Sequence, residues 1–273
     1  MPTNKNEKQQ YELLPPDETT VWRYLSLAKF LALLKTKSIF FSRADFFDDP
    51  FEGSFTEGSL KEDAAKWGDW GIESLHHAYF VSKNIPFHSF ISCWHASEVE
   101  SVALWKIYAK EEGGVAIKST IGDLKKAFPS ITDRIDNKLV TQDIYRVQYI
   151  DYRTVHPHLN NLAGPLCYKR QAFSYEQEIR VIRQVIPTVP KPREGHPDGR
   201  AIQISKKSVN TGLEIAVNID ELVKAIYLTP FSPSWLLPTI CGTIKAFGKD
   251  IDCSRSNIDE LPEFGGIGLN LSI

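Results

Sequence analysis

Apolar residues recur along this chain in short bursts bounded by glycine, proline, asparagine or aspartate, and only a few stretches lengthen into a helical period. Residues 21–24 form the first burst and predict a strand. Ser26 then stands as an N-cap before residues 27–35, where Phe30, Leu31, Leu33 and Leu34 supply one helical face. Residues 38–42 predict a second strand, and the acidic, aromatic run from Arg43 to Glu52, stopped at Pro50, predicts a loop. A helix is expected over 58–77, although Trp67, Gly68, Trp70 and Gly71 interrupt its period. Residues 87–94 alternate as a strand. Ser97 with Glu100 fits a capping box for a helix carrying Val102, Leu104, Trp105 and Tyr108, and Gly113-Gly114 closes it. Strands over 115–117 and 144–150 flank a short helix at 121–128.

The stretch from Phe173 to Ile182 places two carboxylates, two residues apart, at the mouth of an apolar run. If 175–185 is a strand, Glu176 and Glu178 point to one side with Arg180 beside them, while Ile179, Val181 and Val185 pack on the other. Such a run is more often a solvated face, and Ser174 with Gln177 also fits a capping box. Four prolines and two glycines in residues 187–200 predict a surface loop. Further strands are expected at 201–205, 213–217, 225–229 and 250–253, with a helix over 234–247 that crosses Pro238. The sum is an α+β fold: one domain over 21–273, with a mixed, largely antiparallel sheet and surrounding helices. A charged, amide-rich stretch over 1–20 reads as a flexible tail.

Composition narrows the function. With 32 basic against 34 acidic residues among 273, nothing draws the chain toward nucleic acid or an anionic membrane. Four cysteines without a C-x-x-C pair argue against a disulfide framework and a zinc cluster, and suit the thiols of a reducing compartment. Residues 1–10 lack the apolar core of a signal peptide or anchor, so a cytoplasmic protein is expected. The seven histidines are not spaced as a zinc motif, and no metal site is expected. Residues 114–118 spell the ATP-lysine strand of protein kinases but lack the rest of that signature.

What remains is a set of polar groups set beside aromatics: Arg23 between Trp22 and Tyr24, Ser42 after Phe40-Phe41, and Glu176 and Glu178 after Phe173 and Tyr175. Together they suggest a ligand with flat rings and phosphates. Trp22-Arg23-Tyr24, Phe41-Ser42, Phe47-Asp48-Asp49-Pro50-Phe51-Glu52, Ser92-Cys93-Trp94, residues 104–109 with 113–117 and Tyr175-Glu176-Gln177-Glu178-Ile179-Arg180 resemble the ordered motifs of the bacterial domain-of-unknown-function family 2971. By that resemblance the setting is a bacterial protein of toxin or phage-defence type.

The order arginine, serine, E-x-E is also similar to the layout of ADP-ribosyltransferases, which split NAD at the nicotinamide glycosidic bond. That resemblance implies that Arg23 holds an NAD phosphate and Ser42 shapes the nicotinamide-ribose pocket, with Tyr24, Phe41 and Tyr175 alongside as cofactor contacts. It implies further that Glu178 bonds the ribose 2′-hydroxyl as the sugar becomes oxocarbenium-like, and that Glu176 orients or deprotonates a macromolecular or nucleotide acceptor.

Two other classes stay open. A metal-dependent nuclease would use Asp48, Asp49, Glu52 and Glu178 for magnesium, with Lys118 or Arg180 assisting, although an Asx-turn explains Asp48 and Asp49 without an ion. A non-catalytic ligand-sensing or interaction module would line a pocket or partner surface with Trp22, Trp94, Trp105 and Tyr108, with Glu176 and Glu178 structural, held in salt bridges with Arg180, Arg183 or Lys169 and not facing a cleft.

Overall fold

A computed structural model describes residues 14–56, 58, 59, 61, 83–109, 113–135, 138–155, 162–187 and 210–260. Ten strands form the main sheet, whose principal path runs β12-β11-β4-β1-β3-β9-β6-β5. These are β1 (Thr20–Leu25), β2 (Ser38–Arg43), β3 (Ser89–Ala96), β4 (Val115–Thr120), β5 (Ile131–Ile135), β6 (Lys138–Arg146), β9 (Glu178–Pro187), β10 (Gly212–Ala216), β11 (Ala225–Leu228) and β12 (Asp252–Arg255). A second, two-stranded sheet joins β7 (Gln148–Ile150) to β8 (Tyr168–Arg170). Every pairing in the main sheet is antiparallel except β11 with β12, so the expected α+β architecture with a mixed, largely antiparallel sheet is observed.

One edge of β3 is shared. Its last residues pair with β1 at Val21 and Trp22, and its first residues pair with β2 at Ser42 and Arg43. The two neighbours diverge between these points, opposite Ser92 and Cys93.

Side-chain alternation then separates two faces. On the first, Val21 and Leu25 of β1, Phe41 of β2, Phe90 and Trp94 of β3 and Ile179 and Val181 of β9 join the main core. Helices α1 (Leu27–Thr36), α3 (Ile121–Ala127), α4 (Ile219–Leu222) and α5 (Leu236–Ala246) bury Phe30, Leu124, Leu222 and Ile240 there. On the second face, Trp22, Tyr24 and Ala116 pack against Leu104 and Trp105 of α2 (Val102–Tyr108), while Ile91, Ile182 and Ile186 pack against Ala163, Leu166 and Cys167.

Local chemistry explains most element ends. Ser26 accepts from the Lys29 amide to start α1, and the helix stops where Lys37 turns left-handed at φ 52°, its N–H bonded to the Leu33 carbonyl. Pro238 sits within the first turn of α5, where a missing N–H costs little. Other boundaries moved. The cap of α2 is Ser101, whose hydroxyl accepts from Leu104, rather than Ser97. The expected strand over 144–150 is split between β6 and β7 at Val147, whose amide bonds the Glu178 carbonyl. Residues 14–19 do not belong to a loose tail: the Asp17 carbonyl accepts from Gly122, and its carboxylate pairs with Lys125. The helix expected over 58–77 and the strand over 201–205 lie outside the described residues, apart from 58, 59 and 61.

Candidate functional site

The second face carries an assembly of charges. Strand β9 begins at Glu178, not at Tyr175, because Gln177 adopts φ 39° and ψ 53° between a 3-10 helix (Gln171–Glu176) and the strand. A left-handed conformation is uncommon for a residue with a side chain and breaks the alternation. Glu176 and Glu178 therefore do not share a strand face, as the alternation predicts, yet both converge on Lys169 of β8. Its ammonium stands 2.5 Å from Glu176, 3.0 Å from Glu52 and 3.6 Å from Glu178.

Arg180 closes the cluster from behind. It is 0 % exposed. Its Nε and Nη2 donate to the two carboxylate oxygens of Glu178 at 2.9 Å each, Nη2 also meets Glu52 at 3.0 Å, and Nη1 donates to the Leu166 carbonyl at 2.7 Å. Three carboxylates against two cations leave the cluster one negative charge in excess. A buried carboxylate of this kind persists only with its partners in place.

The two glutamates of the motif differ in proton affinity. For Glu178 burial opposes the charge, but Arg180 and Lys169 outweigh it and hold the carboxyl below the usual range. For Glu176 burial prevails over Lys169 and lifts the carboxyl above that range. Glu176 is also the one met by an exposed ring: Tyr108, 51 % exposed, directs its hydroxyl at Oε1 from 3.5 Å. The backbone carbonyl of Glu176 lies 2.6 Å from His95 Nδ1. Cys93 lies opposite Arg180 across the β3–β9 ladder, and burial, with Glu178 close by, raises its thiol well above the ordinary value. Such a shift favours the protonated thiol.

The expected quartet does not assemble. Arg23 points to the first face, where it donates to the hydroxyl of Ser92 and to the Phe40 carbonyl at 3.1 Å, with its guanidinium 5.7 Å from the centre of the Trp94 ring. Burial brings its pKa down to about 10, which leaves it charged at neutral pH. Glu178 faces the other way, so Arg23 and Glu178 share no hollow. Phe41 is core, edge-on to Phe128 at 5.4 Å between ring centres. Ser42 does lie on the second face, but opposite Ile91, which pairs with Ile182, four residues along β9 from Glu178. That is roughly 13 Å along the strand. Tyr24 also faces this side. It is buried edge-on to Trp105 at 5.0 Å, with its hydroxyl accepting from the Ser101 amide at 2.8 Å. Tyr175 is exposed on the 3-10 helix.

Three of the four carboxylates proposed for magnesium are occupied, and the fourth, Asp48, is exposed on the loop. Asp49 forms the Asx-turn, accepting from the Phe51 amide at 3.0 Å, and pairs with Arg170 at 3.0 Å. Glu52 is taken by Lys169 and Arg180. Lys118 lies over Trp22, away from them. Lys169 and Arg180 hold the E-x-E glutamates as the sensing-module reading requires, whereas Arg183 donates to Gln142 instead, and Trp22, Trp94 and Trp105 are packed in the cores rather than lining a pocket, which leaves only Tyr108 of that expected lining. Sequence reasoning gave His95 no role beyond a rejected zinc pairing; its position two residues after Cys93, on the same strand face, was the available signal.

A groove of about 940 Å³ is lined by the start of α1, the end of α2, the Gly113-Gly114 turn and the start of α5; Glu176 is not in its lining and meets it only through the hydroxyl of Tyr108. Tyr108 and Trp235, the latter 63 % exposed, lie among its walls. No family model, curated protein or solved structure matches the chain. No described helix is long and apolar enough to cross a membrane.

Proposed function

We propose that this protein is a ligand-sensing module that takes a flat-ringed molecule into the groove walled by Tyr108 and Trp235, with Glu176 held behind Tyr108 as part of the supporting cluster. One observation carries this reading. Lys169 and Arg180 hold all three carboxylates of the cluster, Glu176 through Lys169 at 2.5 Å, while Tyr108, whose hydroxyl meets Glu176, stands half-exposed in the wall of the groove. Volume and lining favour a small molecule: ligand sites of several hundred Å³ are walled by apolar and aromatic groups with few polar contacts. The buried cluster then serves as a rigid back wall.

A second reading keeps the chemistry of the ADP-ribosyltransferases, either as transfer or as NAD hydrolysis. It is favoured by the opposed proton affinities of Glu176 and Glu178, since neighbouring carboxyls driven apart are the mark of an acid–base division of labour. Glu176 would act on the acceptor and Glu178 would remain ionised behind it, with no part for Arg23. The resemblance to the bacterial family 2971, and with it a cytoplasmic toxin or phage-defence setting, belongs to the proposal on the same footing.

One experiment separates the two. NAD is titrated into the full chain by calorimetry, and nicotinamide release is followed in parallel for wild type and Glu176→Gln. Binding without release supports the module; release that falls at least a hundredfold in the variant supports the enzyme, as expected for loss of a general base. Failure to bind NAD and a wider set of nucleotides would end both.

A further inference from the structure

Two of the four cysteines meet at the far end of the sheet from the charge cluster's strands. Cys241 lies on helix α5 and Cys253 on the edge strand β12, 12 residues further along the chain. The connection between them is short and fixed. The amides of Phe247, Gly248 and Lys249 bond back to the last turn of the helix, Gly248 takes the left-handed φ of 71°, and the chain then enters β12 alongside β11. The helix is thereby laid along the strand, and Cys241 Sγ donates to the Cys253 carbonyl at 3.6 Å. The two thiols also bond to each other, and both residues are only partly buried.

The remaining cysteines keep other company. Cys167 is buried and donates to the Ala163 carbonyl at 3.4 Å, and Cys93 stands against Glu178. Thiols already in contact reach bonding distance by rotation about Cα–Cβ, whereas side chains directed apart would need the backbone to move. Burial and the neighbouring thiol raise Cys253 above its ordinary value, which makes it the slower nucleophile. Once Cys241 is capped, the neighbour's part in that rise is gone.

We propose that Cys241 and Cys253 form a reversible dithiol–disulfide site, oxidised by low-molecular-weight disulfides, that fastens α5 to the edge strand β12. Neither reading of the groove and its cluster is needed for this. The Cys241 thiolate attacks one sulfur of the reagent, breaks its S–S bond, releases one small thiolate and leaves a mixed disulfide on Cys241. Cys253 then gives up its proton and attacks the Cys241 sulfur, which expels the second small thiolate. Two electrons pass from the protein to the reagent, both thiol protons end on the released thiolates, and a reducing thiol pool runs the exchange backwards. In a compartment that keeps thiols reduced such a bond is transient, as a redox sensor needs. It would pin the outermost strand of the described sheet and hold the helix whose first residue, Leu236, walls the groove.

The test uses the full chain, incubated under native conditions with oxidised glutathione, alkylated, and digested without reduction for mass spectrometry. A peptide pair bridged through Cys241 and Cys253 is expected, with free thiols falling from four to two. Melting temperature should rise by about 5 °C or more over the reduced protein, the scale for a bond closing a loop of this length in a chain of this size. Hydrogen exchange of the β12 amides should slow by about tenfold or more, and dithiothreitol should reverse each change. Cys253→Ser should stop at a glutathione adduct on Cys241. Adducts on wild type without the bridge, a bridge to Cys93 or Cys167, or four free thiols after incubation would each overturn the site. A bridge that leaves melting temperature and β12 exchange unchanged overturns the fastening. Should Cys253→Ser fail to fold, the wild-type peptide map decides the matter.

Discussion

At the scale of single residues, Arg180 is the side chain on which the second face depends. Its guanidinium is sealed from water and divided among Glu178, Glu52 and the Leu166 carbonyl, with the Phe47 ring 5.3 Å away. Replacement by methionine keeps much of the volume but strands two buried carboxylates. Arg180→Met is therefore expected to cost about 3–5 kcal/mol in denaturant unfolding, and Arg180→Lys to recover only part, because an ammonium cannot reproduce the two-pronged contact. The glutamates predict an acid response of opposite sign. Glu178 has a folded-state pKa below its ordinary 4.5, so its contribution is complete above that value and lost as pH falls through the folded pKa. Glu176 has a folded-state pKa above 4.5, so its contribution is complete below that value and lost as pH rises through the folded pKa. Melting temperature measured against pH should fall less steeply below about pH 5 in Glu178→Gln than in wild type, while Glu176→Gln should leave that limb at least as steep.

The elements show how much local pattern can decide. The cap of α1 and the helix through Pro238 were legible because a hydroxyl, a proline or an apolar period acts within one turn, with no help from distant residues. The start of β9 was not. Alternation argued for a strand from Tyr175, and the left-handed Gln177 that stops it is fixed by contacts made elsewhere: the Glu176 carbonyl on His95, the Gln177 carbonyl on the Ala96 amide and the Glu178 amide on the Tyr149 hydroxyl. Among the described residues Lys37 is the other left-handed residue with a side chain, and there the constraint is only the helix end. Lys37→Gly should raise unfolding stability by about 0.5–1 kcal/mol, since relief of the left-handed penalty exceeds the added freedom of the unfolded chain. The hairpin of β5 and β6 was missed because four of the five β5 residues are exposed, which leaves no apolar alternation to read.

At the scale of the whole molecule, stability is graded outward from β3 and β9. Strand β9 is paired along its length with β3 and β6 and carries buried residues on both faces, whereas β5 and β12 are edges. Native-state hydrogen exchange should find the slowest amides in β3 and β9, opening only with global unfolding, and much faster exchange in β5 and β12. An even rate across the sheet would contradict this order. The same centrality explains why the charge cluster is rigid: Glu178 and Arg180 belong to the strand least able to open.

Sequence by itself determined the α+β class, the sheet-rich order of elements and the presence of acidic, basic and aromatic groups close to one another in 173–182, because apolar periodicity and turn chemistry act over a few residues. Which groups meet was decided only by the tertiary structure. A side chain on a strand is sent to one face or the other by parity, and parity is set by pairing with strands far away in the chain: Arg23 and Tyr24 are neighbours in sequence, yet the first joins Ser92 and Trp94 and the second faces the layer of Glu176. Arg23 left the quartet on that single-residue step and Ser42 by its distance along the ladder, whereas Lys169, Glu52 and His95 came together with the two glutamates through pairing that no local pattern specifies.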